Sequence, residues 1–164
     1  IRAAMISVAL GVSFASFGVG EAVAGAFEDG MAAYNRRDYA TAFRNFLPLA
    51  QAGDANAQDG LGLMYEKGQG VTQNYKKAVK WYRLAAKKGN FQAQYDLGLM
   101  YENGYGVGQD DVRAFMWINL AAGDYPERVK KRDDLAAKLT PAQLVQAKAM
   151  AVKCKASHYK KCGE

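Results

Sequence analysis

Residues 55–90 laid over residues 91–126, a shift of 36, agree at 17 of 36 positions without a gap. The block Leu61-Gly62-Leu63-Met64-Tyr65-Glu66 recurs as Leu97-Gly98-Leu99-Met100-Tyr101-Glu102, and Gly68-x-Gly70-Val71 recurs as Gly104-x-Gly106-Val107. A tandem unit of this length is one supersecondary element that stacks on its neighbours, so the array grows in one direction instead of closing around a single centre.

Within the unit the apolar positions have helical spacing. Tyr75, Ala78, Val79, Tyr82, Ala85 and Ala86 form one stripe of a 3.6-residue period, with Asn74 placed to cap its start and Gly89 to stop it. A shorter helix over about 56–66 carries Ala57, Leu61, Met64 and Tyr65 on one face. The Gly-x-Gly-Val turn between the two helices lets the chain reverse where a Cβ would resist positive φ. Upstream, Tyr39, Ala42, Phe43, Phe46, Leu49, Ala50 and Gly53 repeat the second-helix register. That copy lacks the Gly-x-Gly loop, and Pro48 is expected to kink its helix or lie near the end. After Pro126 the period stops. Arg132 to Leu139 reads as a further short helix, with Asp133-Asp134 at its start, as Asp110-Asp111 are at theirs. Thr140-Pro141 opens a last helix through about Cys154, whose apolar face is Leu144, Ala147, Met150 and Ala151.

The amino end has another character. No charge occurs from Ala3 to Gly20, and Ala22-Val23-Ala24 and Ala24-Gly25-Ala26 have the small-x-small form that a secretory peptidase cuts. Residues 1–26 are therefore expected to be an export signal, its basic start truncated because the chain opens on Ile; the alternative is an uncleaved anchor. The expected organisation is a degenerate first repeat at 27–54, repeats at 55–90 and 91–126, capping helices at 127–155 and a basic tail at 156–164.

The pattern Ala57-x-x-x-Leu61-Gly62-x-Met64-Tyr65-x-x-Gly68-x-Gly70-Val71, then Ala78-x-x-Trp81-Tyr82-x-x-Ala85-Ala86-x-x-Gly89, resembles the Sel1-like repeat family, relatives of tetratricopeptide repeats. The copy at 93–122 fits as well, and the likeness covers nearly all of 27–155; Tyr125 stands where the family usually has Gly. The resemblance implies an all-α, right-handed helix-turn-helix solenoid that acts as an adaptor for other proteins. It further implies that an exported bacterial member works in the cell envelope, most readily the periplasm, with secretion or membrane anchorage as the alternatives.

By analogy with tetratricopeptide arrays, the second stripe of each first helix would line a groove able to take a protein or peptide segment. These residues are Asn56, Asp59, Leu63 and Glu66, repeated as Gln92, Tyr95, Leu99 and Glu102. The competing reading is that Leu63 and Leu99 pack between neighbouring first helices. Trp81 and Trp117, at equivalent positions, read as packing anchors.

Catalysis is not expected. Ser157-His158-Tyr159-Lys160 matches Ser-x-x-Lys, and relatives of the family have carried β-lactamase labels, which makes a β-lactamase-like or peptidoglycan-acting enzyme the alternative. The companion motifs are missing and the match lies in a basic tail. His158 is the only histidine, so no His-based triad can be assembled. No cofactor is implied, since the glycine turns lack the Gly-Lys-Ser/Thr of a phosphate loop. Cys154, His158 and Cys162 leave three readings: a disulfide, free thiols, or a metal site if the chain turns back after about Ser157. Two cysteines in an exported chain favour the Cys154–Cys162 disulfide and no metal.

The formal charge of +6 raises nucleic acid as a partner. Its distribution argues otherwise. Residues 27–126 hold 11 basic and 11 acidic side chains, while 127–164 hold 10 and 4. The excess belongs to the cap and tail, so no nucleic acid is expected; a tail that binds anionic lipid or polysaccharide is the second alternative, and contact with a membrane otherwise requires an uncleaved signal.

Overall fold

The computed structural model describes residues 19–162. They form α1 (Val19–Asn35), α2 (Tyr39–Ala52), α3 (Ala55–Lys67), α4 (Tyr75–Ala86), α5 (Phe91–Asn103), α6 (Asp111–Ala121), α7 (Pro126–Lys138) and α8 (Pro141–Ala156), with no strand among the described residues. Each helix from α1 to α6 packs on the next, and α8 turns back onto α6. Packing between neighbours in sequence is what a stacked array of helical hairpins requires. Among the described residues no helix is long and apolar enough to cross a membrane.

The caps carry the period into three dimensions. Asp54 and Asn90 start the first helices of the two repeats, and Asn74 and Asp110 start the second. Each side chain accepts the backbone N–H three residues on, at 2.7–2.9 Å. The glycine turns then join one unit to the unit before it. Gly70 and Gly106 both lie at φ +71°, where L side chains are strained. A Cβ at Gly70 would stand 2.7 Å from the Tyr39 carbonyl oxygen, and one at Gly106 would overlap the Tyr75 carbonyl. Tyr39 and Tyr75 open α2 and α4, so the second glycine of each turn is the point where successive hairpins touch backbone to backbone.

The core is divided along the array. Phe46, Leu49, Leu61 and Met64 centre one cluster, Tyr82, Leu97, Met116 and Trp117 a second, and Phe115, Ile118, Leu135 and Ala147 a third. Trp117 is buried, while Trp81 is half-buried against the first cluster. Buried Gln58 and Gln94 repeat a further latch, their Nε2 groups donating to the Ala50 and Ala86 carbonyls at 3.0 and 3.2 Å. Pro48 lies inside α2, near its end, with its side chain exposed.

Two expectations change at the carboxyl end. The penultimate helix begins at Pro126, not near Arg132, because extended Tyr125 is followed by Pro at the first helical position and Glu127 in the first turn. Asp133 and Asp134 consequently lie in its second half, where Lys130 pairs with Asp134 at 2.7 Å and Arg132 with Asp133 at 2.7 Å. The helical register therefore outlasts the residue identities: α7 begins 36 residues beyond Asn90 and occupies the place of a further first helix. Residues 1–18 of the expected signal lie outside the described residues, and α1 is helical across Ala26.

Candidate functional site

The eight stripe residues do not share one environment. In the amino-terminal half, Asn56, Asp59 and Leu63 line a recess of about 250 Å³ together with Phe27, Met31 and Tyr34 of α1. The α1 side chains, spaced i, i+4 and i+7, form an apolar wall facing α3. Tyr34 is tied down by its hydroxyl, which donates to Gln69 Oε1 at 2.7 Å, and burial raises its pKa. Across the rim, Asn90 Nδ2 donates to Asn56 Oδ1 at 3.0 Å, and Gln92 borders the same recess.

In the carboxyl-terminal half α7 covers the equivalent positions. Arg128 Nη2 donates to Gln92 Oε1 at 2.6 Å, while its guanidinium lies 5.4 Å from the Tyr95 ring centre and 4.7 Å from that of Tyr125. Glu102 is held by Lys131 at 2.6 Å and Lys138 at 3.0 Å. Burial raises the Glu102 pKa, but the two ammonium groups outweigh it and hold the carboxyl below its ordinary value. Tyr95 and Leu99 pack on the cluster that contains Phe115 and Leu135.

Between the halves lies an acidic seam. Burial raises Asp59 to about 7, with help from the charge of Asp96; burial likewise raises Asp96 to about 6, against a hydrogen bond from Gln92 Nε2 to its Oδ2 at 3.0 Å. Asp59 Oδ1 is buried without a hydrogen-bond partner in the protein. Glu66, the last residue of the amino-terminal stripe, turns away from the recess to accept Tyr82 Oη–H at 2.7 Å and to pair with Lys67 at 2.6 Å. The site as built offers an apolar floor, amide groups on the rim and one carboxyl that is largely neutral below pH 7. Such a set can take an apolar side chain and hydrogen-bond the backbone that carries it.

The sequence reading missed Phe27, Met31 and Tyr34 as lining residues, although their i, i+4, i+7 spacing was available on α1. It also missed Asp96, whose burial depends on helices 36 residues apart.

The far end of the molecule settles the cysteines. Cys154 and Cys162 form a disulfide with Cα atoms 4.6 Å apart, so neither thiol is free or available to a metal. Ser157 caps α8, and His158 and Tyr159 adopt left-handed φ of 50° and 62°, which reverses the chain as the pairing demands. The Ser157 hydroxyl is used in that turn, donating to the Cys154 carbonyl at 2.8 Å and accepting Lys161 N–H at 2.9 Å. A disulfide of this kind persists in an oxidising compartment.

Comparison with known proteins matches residues 55–90 and 91–123 to the Sel1 repeat. Among solved structures, the chain is similar to a protective antigen present in uropathogenic Escherichia coli strains that displays an SLR fold. The TM-score is 0.76 at 27% identity, over 84% of this chain and 31% of that one. It is also similar to a Sel1 repeat protein from Oxalobacter formigenes, with a TM-score of 0.64 at 31% identity over 68% of this chain and 46% of that one. The chain thus spans less than half the length of either structure. No curated protein matches it.

Proposed function

Since this chain carries two Sel1 repeats in an all-helical solenoid, we propose that it is an exported adaptor of the bacterial envelope, most readily periplasmic, that holds a protein or peptide segment in the recess between α1 and α3. The observation that carries the reading is the division of the stripe: α7 closes the half containing Tyr95, Leu99 and Glu102, and the half containing Asn56, Asp59 and Leu63 remains open. An exposed groove with an apolar floor and amide rim suits an extended or helical segment whose anchor is one apolar side chain. The disulfide and the apolar amino-terminal segment support the compartment. The placement of Ser157 in the clasp turn supports binding over Ser-x-x-Lys catalysis.

A photo-crosslinking residue at position 31, on α1, tests this in periplasm, with the same residue at position 80, on α4, as control. A discrete adduct at 31 but not at 80, lost in Asn56→Arg with Leu63→Arg while circular dichroism is unchanged, is the expected result. Equal adducts at both positions, or an adduct indifferent to the two arginines, would count against the groove.

A further inference from the structure

The last helix has apolar residues on two opposite sides. Its packed side carries Leu144, Ala147, Ala151 and Cys154. Its other side carries Ala142, Val145, Ala149, Val152 and Ala156, at spacings of 3, 4, 3 and 4, and every one of them is exposed. Val145 and Val152 leave 69% and 70% of their surface in water. An apolar stripe on a helix ordinarily faces a partner surface. Here nothing among the described residues covers the outer side.

Charge says what kind of surface fits. From Leu139 to Cys162 there are five lysines and no Asp or Glu. Among the described residues, no ion pair engages Lys148, Lys153, Lys155, Lys160 or Lys161. At 100° per residue, Lys148 and Lys155 flank the outer stripe on one side and Lys153 flanks it on the other. The Cys154–Cys162 clasp returns Lys160 and Lys161 to this same end of the helix. Beside Val152, a recess of about 450 Å³ adds Phe91, which is 56% exposed, and Leu120, with Lys155 at its border.

We propose that this outer face of α8 docks the solenoid onto an anionic lipid bilayer. An apolar stripe edged by lysines is the arrangement of an interfacial helix: small apolar side chains enter the headgroup boundary while lysine stems lie along it and carry their charges to the phosphates. A second copy meeting this face through its own would set lysine against lysine, which argues against that occupant. An anionic polymer would use the lysines but leave the valines without a role.

Sedimentation of the full chain with vesicles of phosphatidylcholine, with and without phosphatidylglycerol, tests the proposal. The apolar amino-terminal segment and the other cations are common to all variants, so the difference between variants isolates α8. Binding is expected to be stronger on the anionic vesicles, to fall with added salt, and to drop at least about tenfold in Lys148→Gln/Lys153→Gln/Lys155→Gln. Val145→Asn/Val152→Asn should weaken it severalfold with an unchanged melting curve. Independently, the fluorescence added by Val152→Trp should be quenched by brominated acyl chains. Equal binding to both vesicle types, or binding unaffected by the lysine changes, overturns the proposal. Headgroup-dependent binding that heparin competes away, with no loss in the valine variant and no quenching at position 152, overturns it in favour of an anionic polymer.

Discussion

At the scale of single residues, the repeat is enforced by positions where one atom more would collide. Gly106 combines φ +71° with backbone of α4 lying where its Cβ would be. Gly106→Ala is therefore expected to cost about 1–3 kcal/mol, read as a lower midpoint in urea, because the collision is with peptide backbone and not with a side chain that can swing away. Asp59 shows the opposite kind of constraint, a polar group kept in a site that disfavours its charge. Folding raises its pKa from 3.8 to about 7, so the folded state holds the proton more tightly than the unfolded chain. Its contribution to stability is complete below the unfolded value and is lost as pH rises through about 7. Asp59→Asn should leave the melting temperature nearly unchanged at pH 4 and raise it at pH 8, flattening the profile; Asp96, raised to about 6, loses its share over a slightly lower range. A variant that melts lower than the parent at pH 8 would show that the ionised carboxyl stabilises the fold.

At the scale of elements, α7 decides how much of the inner stripe is open. It is anchored by Leu135 in the third cluster and reaches the stripe through polar contacts, Arg128 on Gln92 and Tyr95, and Lys131 and Lys138 on Glu102. Glu102→Gln should cost about 1 kcal/mol, with the loss shrinking in high salt, since Lys138 is largely exposed and only Glu102 is well shielded. Thermal melts of both proteins at low and high ionic strength measure it. Helix existence was legible almost throughout, because caps and periodicity are local: Asn74, Asp110 and Thr140 each cap the helix whose start they mark. The start of α7 was not legible in the same way. Tyr125 supplies no capping side chain, and the charged run Lys130-Lys131-Arg132-Asp133-Asp134 hides the apolar period that Val129 and Leu135 carry. Its Pro126-Glu127 pair was the available signal. The tail turn was foreseen only as a condition for pairing the cysteines, and His158 and Tyr159 meet that condition with backbone conformations that their side chains do not advertise.

At the scale of the molecule, a core split into three clusters makes stability a property of neighbours. Phe46 sits in the first cluster and is 1% exposed. Phe46→Ala should cost about 3–5 kcal/mol, and hydrogen exchange should accelerate in α1 to α3 well before it does in α6 to α8. Uniform acceleration along the chain would mean that the array unfolds as a single unit. The 36-residue period, the caps and the glycine turns were determined by sequence alone, since each depends on contacts within one hairpin or on an identity that recurs. So was the concentration of positive charge at the carboxyl end, whereas the cysteine pairing, favoured by sequence, was decided by the turn at His158 and Tyr159. The tertiary structure decided which stripe residues face a recess and which lie under α7, that Asp59 and Asp96 share a half-buried seam, and that α8 keeps an uncovered apolar side. These depend on how far helices 36 residues apart approach and on which long side chains reach across, and neither distance is encoded in the spacing of a single helix.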